Sequence, residues 1–322
     1  MPRFGPFISN SSSILAVLTR DGPEIAQSGE EDKITQLGID IGGTKVAFRI
    51  GGRSGEMRWG PFRDIRDDLA RVAAAVEELG EPEAVGVAMP ATLDHTGTVL
   101  AWSNRPGWTG ANLYTLFGEV FPSVPVSFAD DGDLAAVAEA DAAGCADLVY
   151  FGVGTGIGGG IVSGGRPWPG LARGSCELGH LIVDRNGPPC TCGRSGCLQA
   201  LASGPATLRR AAGILGHEPE FDEFTQAYQD AKGWALAAVQ ETCAALATAA
   251  VGVAELAHPS RVLIGGGFAA ALPGFAAEVA AQAKTLARPG QPVVPIQPAA
   301  LGGLSSLHGA VLLAANQHWG KH

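Results

Sequence analysis

Charge is scarce in this chain, and basic charge is scarcer than acidic. Asp, Glu, Lys and Arg make up 17% of 322 residues, and 22 Lys plus Arg stand against 32 Asp plus Glu, a formal net charge of −10. Such a balance argues against nucleic acid or an anionic membrane surface as partner. It does not argue against a nucleotide, whose phosphates are held by local loops. Long apolar runs are also lacking. The longest, near 244–257, is interrupted by Glu255 and falls short of a bilayer. The first residues show no basic stretch followed by an apolar core, so no secretory leader is expected. The six cysteines are not spaced as a disulfide framework: Cys190 and Cys192 are too close to bridge easily. A reducing, cytoplasmic setting is expected. With 46% hydrophobic residues, the chain can bury the core of two domains or of one two-lobed unit.

Glycine, by contrast, is plentiful, at 46 residues, and gathers in clusters that read as tight turns and phosphate loops. One such region holds His180, Cys190, Cys192 and Cys197 at the spacing H-x9-C-x-C-x4-C. Three thiolates and an imidazole make a complete tetrahedral set for a structural zinc ion. The alternative is a chance cluster of reduced thiols. Cys145, Cys176 and Cys243 read as small core residues.

Residues 1–33 form a polar, irregular extension around one short apolar piece, Ile14 to Leu18. From residue 34, strand-like runs alternate with Ala-rich helical ones, an α/β pattern. A strand, a glycine turn and a return strand occur near 37–50 and again near 148–163, which reads as a duplicated α/β half. The first turn carries Asp40, Gly42, Gly43, Thr44 and Lys45; the second carries Gly154, Thr155, Gly156 and Gly158. A third cluster, Gly265, Gly266 and Gly267, follows another strand. Glycine lets backbone N–H groups approach an oxyanion closely, and Thr44 adds a hydroxyl. Gly154, Gly156 and Gly159 also satisfy G-x-G-x-x-G, but that dinucleotide fingerprint needs a helix next, and Ile161 to Gly164 read as strand and turn. Asp130, Asp131 and Asp133 stand between a strand and a helix, where a carboxylate serves either as catalytic base or as helix cap.

Glu177-Leu178-Gly179-His180 and then C-T-C-G-R-S-G-C-L-Q resemble the E-x-G-H and C-x-C-G-x-x-G-C-x-E pattern of the ROK family of sugar kinases and sugar-responsive repressors. The resemblance covers about 34–318. It implies the duplicated actin-like, ribonuclease H-like ATPase fold, with two lobes and ATP in the cleft between them. It divides the chain into a smaller lobe over 34–128, completed by a C-terminal helix at 305–320, and a larger lobe over 129–304 with the thiol motif. It makes Asp131 the general base, puts Asp40 near Mg2+-bound phosphates, and lays the third glycine cluster against adenosine. It gives Asn104, Glu177 and His180 to the sugar, with His180 also holding zinc, and it implies a homodimer. The opening NSSSILAVLTRDGPEIAQ resembles the start of the winged helix of the family's repressors, without room for a recognition helix.

Three positions depart from the family. Asp130 replaces an asparagine, Gln199 replaces the final glutamate, and Ala91-Thr92 replace a glycine-containing turn that borders the sugar. Asparagine donates and accepts, whereas aspartate only accepts. Asp130 is therefore expected to face an ammonium where glucose carries a hydroxyl, which points to an aminosugar such as kanosamine (3-amino-3-deoxyglucose). Gln199 would alter contacts near C1 and C2, leaving a C7-cyclitol open. Asp133 is expected only to answer the helix dipole. The remaining alternatives are an ordinary glucokinase and a sugar-sensing regulator that does not bind DNA.

Overall fold

The computed structural model describes residues 35–61, 64–102, 105–171, 174–316 and 319. The expectations for the extension 1–33 and for Asn104 fall outside these residues. The first half contains β1 (Gln36–Ile41), β2 (Lys45–Ile50), β3 (Arg53–Arg58), α1 (Ile65–Glu77), β4 (Ala84–Ala88), the small pair β5 (Thr92–Leu93) and β6 (Val99–Ala101), α2 (Leu113–Val120), β7 (Val126–Ala129) and α3 (Asp131–Ala142). The second contains β8 (Leu148–Val153), β9 (Ile157–Ser163), β10 (Arg166–Trp168), α4 (Leu198–Ala202), α5 (Gly204–Leu215), α6 (Phe221–Gln229), α7 (Gly233–Ala257), β11 (Arg261–Gly265), α8 (Gly267–Ala270), α9 (Phe275–Thr285), β12 (Ile296–Pro298) and α10 (Ser305–Ala315).

Each half builds a five-stranded sheet of the same design. The orders are β3-β2-β1-β4-β7 and β10-β9-β8-β11-β12, each with three antiparallel strands followed by two parallel ones. The duplication read from the two strand–turn–strand blocks is thus present in the fold. The parallel strands place their carboxyl ends on one side, where open α/β sheets hold ligands.

Helix boundaries follow local chemistry. Asp64 caps α1 by accepting from the N–H groups of Arg66 and Asp67, and Leu69, Val72 and Val76 then form its buried stripe. Ser203 caps α5 through the Ala206 N–H. At β12 the expected strand shrinks to three residues, because Pro292, Pro295 and Pro298 have no N–H for a ladder.

Two helices exchange sheets. α3 follows the last strand of the first sheet but packs on β8 and β9 of the second; α10 follows the last strand of the second but packs on β1 and β4 of the first. The two helices lie against each other, so α3 is buried all round and carries Ala135, Ala136, Ala138 and Ala140 where bulk cannot fit. Their approach is close. A Cβ at Gly86 would stand 2.0 Å from the Ala310 carbonyl oxygen, and one at Gly309 would stand 2.1 Å from that of Leu134.

Large apolar cores back both sheets, one around Phe48, Trp108 and Phe117, the other around Phe151, Phe224 and the inner face of α7. α7 corrects the expectation that no apolar segment is long enough for a membrane. Its 25 residues pass that test by length and composition, yet half of the apolar window is buried inside the molecule, as in the core helix of a globular fold.

Candidate functional site

The catalytic candidates meet where the first sheet gives way to α3. Asp40 lies near the carboxyl end of β1, and Asp130 and Asp131 follow β7. Asp130 is the helix cap: its Oδ1 accepts from the N–H of Gly132 at 2.9 Å and of Asp133 at 3.4 Å. Among the described residues its hydrogen bonds all fall on Oδ1. This corrects the expectation for Asp133. That side chain is not the cap but is buried, 3% exposed, with an Oδ1 that has no partner among the described residues.

Crowding of acids in a buried place raises all their pKa values. Burial, then the neighbouring Asp131, push Asp40 up to about 7, against the pull of Lys45. Burial pushes Asp133 to about 7 as well, with Glu177 and Asp131 adding repulsion. Asp130 and Asp131 are both raised, first by burial; Asp131, Asp133 and Glu177 add to the rise at Asp130, and Glu177 to that at Asp131. Four aspartates and Glu177 therefore share one electrostatic site, which is costly when empty and suited to compensating cations.

Glu177 enters this site from a strained backbone, at φ 47° and ψ 42°, a left-handed conformation unusual for a residue with a Cβ. The Ser175 hydroxyl donates to its Oε1 at 2.7 Å, and its Oε2 stands 3.9 Å from Nε2 of His180. The other ring nitrogen of His180, Nδ1, faces the thiols, 3.7 Å from Cys190 Sγ. Cys192 and Cys197 Sγ are 3.6 Å apart, and all four ligand atoms lie within 4.8 Å of one another. Ligands about 2.3 Å from a tetrahedral zinc stand about 3.8 Å apart, so the donor set and its spacing fit that ion. The backbone N–H of Arg194 and then its guanidinium hold the Cys192 thiol down to about 6, while burial pushes Cys197 up to about 11.

The glycine loops converge on the same place. The β1–β2 turn is closed by a hydrogen bond from Gly42 N to the Lys45 carbonyl oxygen, 2.9 Å. Lys45 itself turns aside: its Nζ pairs with Glu56 at 2.5 Å on β3, which corrects its assignment to the phosphates. The β8–β9 turn carries Gly154, Thr155 and Gly156, with Gly158 in the return strand that follows. No helix follows it, so the dinucleotide reading fails. A Cβ on Gly132 would meet Gly159 N at 2.5 Å, so the start of α3 lies against this hairpin. After β11, Gly266 adopts φ +85°, and a Cβ there would meet Val153 N at 2.4 Å; the Gly265–Gly267 turn therefore sits against the end of β8. Gln199 follows the thiol loop, its amide 3.5 Å from both Cys190 Sγ and Thr191 Oγ1, and a Cβ on Gly156 would meet its Oε1 at 3.2 Å.

The structure thus gathers Asp40, Asp130, Asp131, Glu177, His180, the thiol set, Gln199 and the second and third glycine clusters into one continuous region. Asp133 and Ser175 belong to it too, although sequence reasoning did not place them there. For Asp133 the signal was available, since it stands where the resemblance has a second asparagine. Cys176, expected in the core, is only half-buried at the border of this acid cluster, where burial and Asp133 push its thiol up to about 12.

Comparison with known proteins agrees with this arrangement. The ROK family pattern matches residues 36–317. A kanosamine kinase from Amycolatopsis mediterranei (strain S699) is 52% identical over 288 residues, covering 86% of this chain and 95% of that one. Among solved structures, a ROK hexokinase from Thermus thermophilus superposes with a TM-score of 0.78 at 29% identity, covering 88% of this chain and 98% of that one. A ROK family glucokinase from Streptomyces griseus, in complex with glucose and AMPPNP, gives 0.73 at 26%, covering 88% and 99%.

Proposed function

The chain belongs to the ROK family, and from that premise we propose that it phosphorylates the primary hydroxyl of a glucose-like aminosugar, kanosamine first among them, using ATP. The observation that carries this reading is the pair at the start of α3, an aspartate at 131 beside a second aspartate at 130 where the family resemblance has asparagine. A relative 52% identical that acts on kanosamine supports the choice of sugar.

In this reading Asp131 takes the proton of the attacking hydroxyl. The new bond joins that oxygen to the γ-phosphorus as the bond to the β-phosphate oxygen breaks and ADP leaves. The backbone N–H groups of the Gly42 and Gly154 turns face the phosphates, and Gly265–Gly267 the adenosine. Asp40, with its carboxyl pushed up by burial and by Asp131, fits a place beside a divalent cation. Mg2+ bound with ATP would neutralise the phosphate charge there. Asp130 meets the sugar ammonium through the oxygen that does not cap α3, a charge-assisted contact. Glu177, His180, Gln199 and Asn104 complete the sugar pocket. The thiol loop with His180 Nδ1 holds structural zinc, which fixes the His180 ring and leaves Nε2 for the sugar. Metal analysis should find close to one zinc per chain, released by a thiol reagent, and an absence of zinc would remove this element. We also propose a cytoplasmic homodimer, testable by sedimentation and fractionation.

The decisive assay is ADP release from Mg-ATP with kanosamine and glucose in parallel, with the phosphorylated position read by NMR. A preference for kanosamine and a phosphate at C6 are expected. Fast turnover of glucose alone would make the chain a glucokinase and Asp130 neutral to specificity.

A further inference from the structure

Beside the acid cluster, the first half holds a second buried polar assembly that the reaction chemistry does not use. Arg105 is 6% exposed, and its Nη1 lies 2.9 Å from Oδ2 of Asp68, itself 3% exposed on α1. The same oxygen accepts from the Trp108 indole N–H at 3.1 Å. The guanidinium carbon sits 4.0 Å from the centroid of the Trp59 ring, a cation–π contact. Trp59 also reaches the first glycine turn: its Nε1 donates to the Gly42 carbonyl at 2.8 Å, and its backbone N–H to the Thr44 carbonyl at 3.2 Å.

The assembly runs without a gap from the turn assigned to phosphate to the residue that follows Asn104, assigned to sugar. A buried ion pair is weak evidence for stability, since apolar residues often fill the same volume as well. A planar cation stacked on one ring and forked to one carboxylate does something apolar packing cannot: it fixes orientation. If its task were only to fill the core, the Trp59 indole would have no reason to spend its N–H on Gly42.

We propose that Arg105 is a positioning residue which, through Trp59, couples sugar binding to the geometry of the Gly42 turn and hence to nucleotide binding. The inference rests on the sugar-kinase reading above. Sugar seated against residues 104–105 holds the guanidinium, the guanidinium holds the indole, and the indole holds the Gly42 carbonyl so that neighbouring N–H groups face the phosphates. Coupling is reciprocal, so nucleotide tightens sugar by the same factor.

The test is the dissociation constant of kanosamine, measured calorimetrically without and with saturating AMPPNP, in the full chain. The wild-type ratio is expected at roughly fivefold or more, the usual lower range of such coupling. Trp59→Phe keeps the ring and the cation–π contact but removes the N–H to Gly42. It should bring the ratio close to one while leaving kanosamine affinity without nucleotide unchanged. Arg105→Lys keeps charge but loses the planar stack, and should also lower the ratio. The double variant Asp68→Leu/Arg105→Leu fills the space without charge, and it should fold yet show no coupling. A wild-type ratio of one, or a ratio retained in both Trp59→Phe and the double variant, would overturn the proposal. Failure of the kinase reading is separate: it would appear as absent phosphotransfer by the wild-type chain.

Discussion

The two halves share a strand order, so α3 and α10 are counterparts, each following the last strand of its sheet. Their starts differ completely. α3 opens with Asp130, Asp131 and Asp133, a mouth lined with carboxylates at high pKa. The start of α10 is filled from within: Glu139, fully buried on α3, accepts from the N–H groups of Ala300 at 2.8 Å and Leu301 at 3.0 Å and from the Ser305 hydroxyl at 2.7 Å. One mouth has its polar needs met by the protein and is structural; the other is left in deficit and waits for cations. Duplication supplied two equivalent positions, and satisfaction of one freed the other for chemistry.

Substitutions can break that contrast. Asp131→Asn should lower kcat by about 100- to 10,000-fold, the usual contribution of a general base, while the chain stays folded. Glu139→Ala should do the reverse. Three donors lose one buried acceptor, costing on the order of 3 kcal/mol in denaturant unfolding, while the kcat of the folded fraction stays close to wild type. If the two variants behaved alike, the division of labour between the mouths would be wrong. Asp130→Asn keeps a good cap but removes a charge. It should shift kcat/KM from kanosamine toward glucose by roughly tenfold, measured with both sugars in parallel. An unchanged ratio would leave the aminosugar reading without its residue.

The smallest effect concerns pH. Asp133 rises from 3.8 to about 7 in the folded chain, so between these values the folded state holds the proton that the unfolded state has lost. Its contribution is most favourable below pH 4 and declines as pH rises through about 7. Asp133→Asn removes the cost of ionisation, and the ligand-free protein should melt a few degrees higher than wild type at pH 8, with no gain at pH 4. Equal melting differences at both pH values would mean that Asp133 is not protonated on folding.

Much of this was legible before any coordinates. The duplication showed because each sheet begins with the same local strand–turn–strand block, and the thiol set showed because its ligands lie within one short segment. Asp131 could be placed because a strand end and a helix start are both local signals. What escaped depends on partners far apart in sequence. Glu139 meets residues 300–305, and Arg105 meets Asp68 and Trp59, pairings that no periodicity announces. Lys45 looked like a phosphate ligand from its glycine neighbours, yet strand alternation and a facing Glu56 on β3 decide where it points. Asp133 looked exposed because acids at a helix start usually are; the burial of α3 on every side overrides that.

The glycine seam between α10, the first sheet and α3 has a mechanical meaning. Where ridges interlock with grooves, moving one element past another means disengaging side chains. At Gly38, Gly86 and Gly309 there are none to disengage: a methyl there would strike Val311, Ala310 or Leu134. The shaft on which the halves meet is a plain bearing, not a gear, and it can turn under load without changing a single rotamer at those points.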